Sequence, residues 1–260
     1  GVTKVFCGHT EIAKAYIDGG VDYLADSRIE NLIKLKDFNI PKILLRLPMK
    51  SEAELVIEYA DISLNSEIET IRSLSEKAMG KNIIHKIILM VDLGDLREGY
   101  YDEEEIYTAV EEILELEGIE LIGIGTNLTC YGGVIPDEVN LDRLVGIGKN
   151  IEEKYNINLE IISGGNSSSL HLVMDEKIVP GINNLRLGES LVLGRETAYG
   201  NKIKNTYEDG FQLVAEIIEV KNKPSVPTGK IGMDAFGNEP IFVDKGIRKR
   251  IIVAIGRQDV

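Results

Sequence analysis

Short apolar runs alternate with amphipathic segments as far as residue 186, and this alternation limits the possible folds more than any other feature. The runs are rich in Val, Ile and Leu, and each ends in polar residues. Near-continuous apolar strands are typical of parallel sheets whose two faces are both covered. The first run ends at Lys4, and the others lie at residues 22–25, 42–45, 61–64, 86–91, 121–125, 159–162 and 184–186.

The segments between the runs place apolar residues three and four positions apart, as amphipathic helices do. Residues 10–17, 103–116 and 140–155 show this spacing. Ser51 is a predicted N-cap, because acidic residues follow it in the first turn. Eight strands that alternate with helices predict an α/β fold of the TIM (β/α)8 barrel type. A doubly wound open sheet is the alternative.

The pattern changes after about residue 208. Residues 211–220 and 250–255 resemble strands, and prolines and glycines punctuate the sequence between them. We therefore predict a barrel over residues 1–208, with a truncated first strand, and the start of a C-terminal β-domain over residues 209–260. Both ends read as cut, so we expect a piece of a longer protein.

Charge and composition exclude some classes of partner. The chain has 260 residues and a formal net charge of −14. Binding to a phosphate backbone needs basic patches, so no nucleic-acid partner is expected. No apolar stretch reaches membrane-spanning length, and we expect no membrane partner. Two cysteines, Cys7 and Cys130, cannot build a disulfide framework, which indicates a reducing, cytoplasmic compartment.

The polar residues after the runs predict a cofactor site, because strand ends form the active-site face of a TIM barrel. Lys4 is either a solvated charge or a nucleophile made reactive by desolvation and cationic neighbours. The serine-rich turn (residues 163–169) opens a helix, and free N–H groups there can bind phosphate. A lysine that can form a Schiff base, together with a phosphate turn, suggests pyridoxal phosphate (PLP). The predicted cofactor-binding residues are Lys4, Ser163, Asn166, Ser167, Arg186 and Gly188.

Arg186, Arg97 and Asn127 have two interpretations each. Arg186 would form a structural ion pair, or it would place its guanidinium at the pyridine nitrogen of PLP. There it would keep the nitrogen unprotonated and the ring a weaker electron sink, which suits simple proton removal and return. Arg97 would be solvated or would clamp the α-carboxylate of a substrate. Asn127 would satisfy local backbone groups or line the cofactor.

Several segments resemble the fold-type III PLP enzymes, the alanine racemase superfamily. Residues 23–31 and 255–260 are similar to its ornithine racemase-like amino-acid racemases. Four other segments resemble motifs of the superfamily. Residues 2–9 resemble its lysine segment, which ends in Tyr-Gly-His, and residues 92–99 resemble its Asp-Thr-Gly-Met-x-Arg-x-Gly stretch. Residues 165–167 resemble its phosphate turn, and residues 185–188 resemble its Arg-x-Gly strand end.

The resemblance implies a PLP-dependent racemase that interconverts L- and D-amino acids of the ornithine, lysine or alanine class by two-base proton exchange. It also implies a homodimer whose partner contributes to each site. Lys4 would hold the cofactor and exchange the α-proton on one face of the substrate. The family uses a tyrosine of the partner's β-domain on the other face, but residues 229–236 occupy that place without one. Asp234 and Cys7 are candidate replacements, and Asn127 stands where the family has histidine.

The acidic residues Asp95 and Asp26 leave the substrate class open. Asp95 replaces the methionine of the alanine-type motif, and Asp26 lies at another strand end. They would suit a cationic side chain such as that of ornithine or lysine, or they simply belong to an acidic surface.

Two other functions compete with the racemase. A non-catalytic PLP-homeostasis protein would share the barrel, the lysine and the serine-rich turn, but that family stops after the barrel. A related aldolase would need a metal site, and the histidines show no metal-ligand spacing. Ordered β-structure after residue 210 would favour the racemase over the homeostasis protein.

Overall fold

A parallel sheet of seven strands forms the first part of the molecule. The computed structural model describes residues 1–257 and residue 259. They form two compact units, Gly1–Gly210 and a second that begins at Phe211. Neighbouring strands of the sheet are consecutive in the chain. The strands are β1 (Leu24–Asp26), β2 (Lys42–Leu44), β3 (Ile62–Asn65), β4 (His85–Met90), β5 (Ile119–Gly125), β6 (Ile161–Asn166) and β7 (Asn184–Arg186).

Residues 1–3, the closing segment, join the two edges of this sheet. On one side the Thr3 N–H donates to the Ala25 carbonyl at 2.8 Å. On the other side the Val2 N–H donates to the Leu187 carbonyl at 2.7 Å, directly after β7. The same short segment therefore takes the place of an eighth strand. The predicted (β/α)8 barrel is confirmed, and the open doubly wound sheet is excluded.

Helices follow the strands and cover the outside of the barrel. Two of them begin at aspartate caps: Asp102 accepts the N–H groups of Glu104 and Glu105, and Asp137 forms a capping box with Asn140. The helices are α1 (Thr10–Asp18), α2 (Ile29–Lys34), α3 (Ala53–Tyr59), α4 (Ile68–Gly80), α5 (Glu103–Leu114), α6 (Glu138–Tyr155), α7 (Leu170–Met174) and α8 (Glu189–Leu193), with 3-10 helices at Lys4–Phe6, Lys50–Glu52 and Ser167–Ser169.

The predicted N-cap at Ser51 is wrong. Ser51 lies inside the 3-10 helix Lys50–Glu52, which runs directly into α3. Glu52 occupies the N-cap position of α3 without a side-chain hydrogen bond to it. The first N–H groups of α3 are thus covered by the preceding turn, as 3-10 turns at helix ends commonly do.

Apolar side chains fill the barrel and the layer between its strands and helices. Gly123 permits the close approach of β5 and β6, because a Cβ there would lie 2.2 Å from the Ile161 carbonyl oxygen. The buried cluster that draws on the barrel strands comprises Val2, Ala25, Ile43, Ile62, Leu64, Ile88, Met90, Ile122 and Ile161. Such a filled interior leaves the strand ends as the place for a site.

The second unit contains an antiparallel pair of strands, β8 (Ile217–Pro224) and β9 (Ile247–Val253). β8 starts later than the apolar run at residues 211–220 predicted, and β9 starts earlier than the run at residues 250–255 predicted. Pairing with a partner strand, rather than apolar content, sets where each strand begins and ends. Within the described residues, no helix has the length and apolar character needed to cross a bilayer.

Candidate active site

A cavity of about 690 Å³ opens at the carboxyl ends of the barrel strands. This is the face at which TIM barrels build their active sites. Most of the predicted site residues line it together: Lys4, Arg97, Asn127, Asn166, Ser167, Arg186 and Gly188. Its lining also includes residues that were not predicted as part of the site, among them Arg46, Glu98, Cys130, Glu189 and Thr197.

Lys4 enters the cavity immediately after the closing segment. The sequence placed it at the end of a strand, whereas the structure places it at the start of the 3-10 helix Lys4–Phe6. Thr3 anchors this point, because its buried hydroxyl donates to Asp26 Oδ2 at 2.7 Å. Lys4 itself is exposed and lines the cavity. A lysine amine with access to a cavity is what Schiff-base formation requires.

Arg186 is a buried cation held by neutral acceptors. Its side chain donates to Ser163 Oγ at 2.6 Å and to the Thr126 carbonyl at 2.7 Å. No carboxylate among the described residues forms an ion pair with it within 4.0 Å, so the structural ion pair is excluded. Burial lowers its pKa to about 10, and the negative charge of Glu98 opposes this effect. The guanidinium therefore stays protonated at neutral pH.

Ser163 does not line the cavity, contrary to its predicted role in cofactor binding. It is fully buried. Its hydroxyl donates to Asn184 Oδ1 at 2.5 Å and accepts from Arg186. Ser163 therefore positions the guanidinium of Arg186, and any effect on a cofactor passes through that arginine.

The serine-rich turn is stabilised by its own side chains. Asn166 caps the 3-10 helix Ser167–Ser169 by accepting the Ser168 N–H at 2.8 Å. Ser167 Oγ accepts the backbone N–H groups of Gly188 and Ser190 at 3.3 and 3.1 Å. The serine-rich turn and the loop after β7 thus meet at one hydroxyl, which accepts the N–H groups of residues 188 and 190.

Gly188 has a second role besides lining the cavity. A Cβ at this position would lie 3.1 Å from the Val2 Cβ, tighter than most real contacts. The glycine therefore lets the loop after β7 pack on the closing segment. The sequence predicted Gly188 only as a cofactor-binding residue.

The donor set of the cavity suits an anionic cofactor. The lining contains more cations than carboxylates, namely Lys4, Arg46, Arg97 and Arg186 against Glu98 and Glu189. Among the described lining residues, Arg46 has a buried Nε without a hydrogen-bond partner, and in the serine-rich turn the Ser168 hydroxyl is also buried without a partner. Such atoms are rare in folded proteins, and a ligand or water that satisfies them is the usual explanation. The residues present therefore fit PLP, which carries a phosphate and a ring nitrogen.

Glu98 connects two of the predicted residues, although the sequence did not point to it. Its Oε2 lies 3.0 Å from Arg97 Nε. Its Oε1 accepts from Asn127 Nδ2 at 3.2 Å. Glu98 occupies a variable position of the Asp-Leu-Gly-Asp-Leu-Arg-Glu-Gly segment, so the motif gave no signal for it.

Asp95 and Asp26 do not supply a carboxylate to bind a cationic substrate. Both are fully buried. Asp95 accepts the N–H groups of Cys130, Tyr131 and Val134 at 2.8 to 3.1 Å and so holds the loop after β5. Burial raises the pKa of Asp95, but these backbone hydrogen bonds outweigh it and keep the pKa below its ordinary value. Asp26 is occupied by Thr3 and other neighbours, so both acids are structural.

Two residues were candidates for the second base, and one of them, Cys7, does not line this cavity. Cys7 is exposed and has a left-handed backbone with φ of 52°. Asp234 belongs to the second unit and accepts the N–H groups of Phe236 and Asn238 within its own turn. These hydrogen bonds, first that of Asn238, lower the pKa of Asp234 and make it a weaker base.

A smaller cavity of about 490 Å³ lies at the opposite end of the barrel strands. His85, the first residue of β4, lines it and is 2% exposed. Its Nε2 lies 2.8 Å from the Ser63 hydroxyl. Burial lowers the pKa of His85 to about 4, against a small opposing effect of Asp61. None of the predicted site residues lines this end.

Comparison with known proteins identifies the family. Residues 2–196 match the family model of the alanine racemase N-terminal domain. The chain belongs to the alanine racemase family. The family predicted from the sequence motifs is thereby confirmed.

Two curated relatives and one solved structure illustrate the similarity. The ornithine racemase of Acetoanaerobium sticklandii is 53% identical over 258 residues, which are 99% of this chain and 73% of that protein. The lysine racemase of Thermotoga maritima is 43% identical over 264 residues, 100% of this chain and 73% of that protein. The alanine racemase structure of Clostridium difficile 630 superposes with a TM-score of 0.64 at 20% identity, a likeness of fold. This chain covers 64% of that chain.

Proposed function

We propose that this chain is the cofactor-binding barrel, with part of the second domain, of a PLP-dependent racemase that acts on a basic amino acid, ornithine or lysine. One observation carries the proposal: a single cavity brings together the amine of Lys4, the buried cation Arg186 and the serine-rich turn. The identity of 53% and 43% to an ornithine and a lysine racemase supports the substrate class. Because Asp95 and Asp26 already accept hydrogen bonds from neighbouring groups, the substrate class rests on these relatives.

PLP, when bound, withdraws electrons from the α-carbon of an amino acid and makes its α-proton removable. The residues of this chain would bind the cofactor and the amino acid and orient them for that chemistry. Lys4 Nζ would hold the cofactor and would take and return the α-proton on one face of the amino acid. Arg186, which stays protonated, would face the ring nitrogen of PLP and keep it unprotonated. The serine-rich turn, with Asn166 and Ser167, would bind the phosphate.

Arg97 binds the α-carboxylate of the amino acid. Its Nε is engaged by Glu98. This leaves both terminal nitrogens of the guanidinium for a bidentate contact with a carboxylate, the geometry that arginine favours. With the carboxylate fixed at one end and the amino group at Lys4, the α-proton has a defined direction.

We propose a homodimer in which the partner subunit supplies the group that acts on the second face of the substrate, in keeping with the family resemblance. Light scattering coupled to gel filtration tests this part, and a monomer at the concentration used in activity assays would contradict it. A cytoplasmic location is proposed as well, since Cys7 and Cys130 are both free.

Chiral chromatography of ornithine, lysine and alanine, with and without added PLP, tests the proposed function on the full-length protein. We expect interconversion of D- and L-ornithine or D- and L-lysine that depends on PLP. Lys4→Ala should abolish it, by at least a thousandfold, and remove the absorbance band of the bound cofactor, because no other lysine lines the cavity. Absence of racemisation with all three amino acids at high enzyme concentration would overturn the proposal.

The non-catalytic alternative gains no support. Its family ends after the barrel, whereas β8 (Ile217–Pro224) and β9 (Ile247–Val253) form an antiparallel pair here, with one register shift between Ile217 and Glu219.

A further inference from the structure

A chain of hydrogen bonds runs in one direction from the serine-rich turn to Glu98. The Ser168 N–H donates to Asn166 Oδ1 at 2.8 Å. Asn166 Nδ2 donates to Asn127 Oδ1 at 2.7 Å. Asn127 Nδ2 donates to Glu98 Oε1 at 3.2 Å. Each amide accepts on the side of the turn and donates on the side of Glu98.

The two ends of this chain fix the orientation of both amides. A backbone N–H can only donate, and an ionised carboxylate can only accept. If either asparagine turned over, an NH2 group would face another donor or an oxygen would face another acceptor. Asn127 and Asn166 therefore have a single orientation that satisfies every contact.

Glu98 also ends a second contact, with Arg97. Its other oxygen lies 3.0 Å from Arg97 Nε. The side chain of Glu98 is only 16% exposed, so water screens these contacts little. Its negative charge also acts on the buried Arg186. The Glu98 carboxylate thus connects the predicted substrate clamp Arg97, the buried Arg186 and, through Asn127 and Asn166, the serine-rich turn.

We propose that Glu98 is a positioning residue of the racemase, whose carboxylate ends the hydrogen-bond chain of Asn127 and Asn166 and holds Arg97 by its Nε. This inference rests on the proposed function for the identity of the substrate. The hydrogen-bond chain itself is a property of the barrel, and its effect on cofactor binding can be measured without turnover.

An isosteric exchange along the chain tests the proposal. In E98Q the new amide nitrogen must face either Asn127 Nδ2 or Arg97 Nε, and both are donors. In N127D two carboxylates face each other. In the double variant E98Q/N127D, the glutamine can accept from Arg97 and donate to the new aspartate, which can still accept from Asn166. The double variant has the same net charge as the natural protein, and each side chain keeps its shape.

The first measurement is the dissociation constant of PLP, obtained by absorbance titration of the apo-protein. We expect E98Q and N127D each to weaken PLP binding about tenfold, the effect of one buried donor or acceptor left without a partner. The double variant should bind within about threefold of the natural protein. A merely steric role would not give this recovery. The second measurement is steady-state kinetics, where E98Q should raise KM for the amino acid more than it lowers kcat.

Glu103→Gln is the matched control. Glu103 Oε1 accepts a hydrogen bond from Arg143 Nε at 3.0 Å, a carboxylate–guanidinium contact between the exposed faces of α5 and α6. It should leave PLP binding and KM unchanged. If E98Q alone fails to fold, as judged by circular dichroism, the double variant decides: recovery of the fold and of PLP binding supports the proposal.

The proposal is overturned if E98Q binds PLP as the natural protein does, or if the double variant is no better than the weaker single variant. Failure of the proposed function gives a different pattern. The natural protein would then bind PLP and racemise none of the amino acids, while the order of PLP affinities among the variants would still follow the hydrogen-bond chain.

Discussion

At the scale of single residues, the site depends on a guanidinium buried among neutral acceptors. Arg186 donates to a hydroxyl and a carbonyl and has a pKa lowered by burial to about 10. It thus remains a cation and a donor at neutral pH. Its direction depends on Ser163, which gives one of the two contacts.

Ser163→Ala should therefore impair catalysis without removing a group from the cavity. The change leaves a buried N–H of Arg186 without its acceptor, at a cost of about 1–3 kcal/mol. We expect a lower unfolding midpoint in calorimetry and a kcat reduced about tenfold, with PLP still bound through Lys4. Ser73→Ala is the control, since its hydroxyl donates to the Glu69 carbonyl on the exposed face of α4. A Ser163→Ala enzyme with normal kcat would contradict this role.

The sequence predicted residues whose place follows from a strand end and missed those whose role depends on side-chain direction. Asn166 and Arg186 close strands, and the structure brings both to the cavity. Ser163 lies on the same strand as Asn166, but the β6–β7 register shifts between them, so simple alternation does not give its direction. Glu98 lies in a loop, where no periodicity applies.

At the scale of elements, the strands were predictable and their ends less so. The bounds of the apolar runs lie within two residues of those of β1 to β5 and β7, because burial on both faces demands a continuous apolar run, whereas β6 continues to Asn166, four residues beyond its run. The start of α3 was mispredicted, because a 3-10 turn and a capped helix have the same sequence signal. The burial of His85 at the start of β4 was not predicted from the sequence.

His85 makes the stability of the strand pair β3–β4 depend on pH. Its pKa is about 4 in the folded protein and 6.5 as its ordinary value. Between these values the unfolded chain binds a proton that the folded protein does not, so the free energy of unfolding falls as pH falls from 6.5 to 4. The loss amounts to roughly 3 kcal/mol over this window.

Urea unfolding at pH 7.0, 5.5 and 4.5 measures this effect. His85→Gln should be less stable at pH 7 but should lose less stability on acidification than the natural protein does. The difference between the two curves isolates the contribution of His85 from that of the carboxylates. Parallel curves for the two proteins would show that His85 is not the group responsible.

At the scale of the whole molecule, closure of the barrel and formation of the site are one event. The closing segment bonds to both edges of the sheet, and Lys4 follows it directly. The loop after β7 packs on the same segment through Gly188, which also lines the cavity. Lys4 and the loops after β6 and β7, in which we propose that the phosphate is bound, therefore meet only when the barrel closes.

Gly188→Ala should accordingly weaken the fold and the site together. The added methyl group would lie 3.1 Å from the Val2 Cβ, so Val2, two residues before Lys4, must shift by a few tenths of an ångström. We expect a loss of about 1–3 kcal/mol in the free energy of unfolding, as for other overpacked positions. We also expect a PLP dissociation constant raised about tenfold in an absorbance titration.

Gly146→Ala provides the comparison that separates these effects. Gly146 lies within α6, and a Cβ there meets no atom within 4 Å. Alanine should stabilise the helix by up to about 1 kcal/mol and leave PLP affinity unchanged. If Gly188→Ala lowered stability but bound PLP normally, closure of the barrel would stabilise the fold without positioning Lys4. The displacement of Val2 would then have left the Lys4 amine within reach of the serine-rich turn.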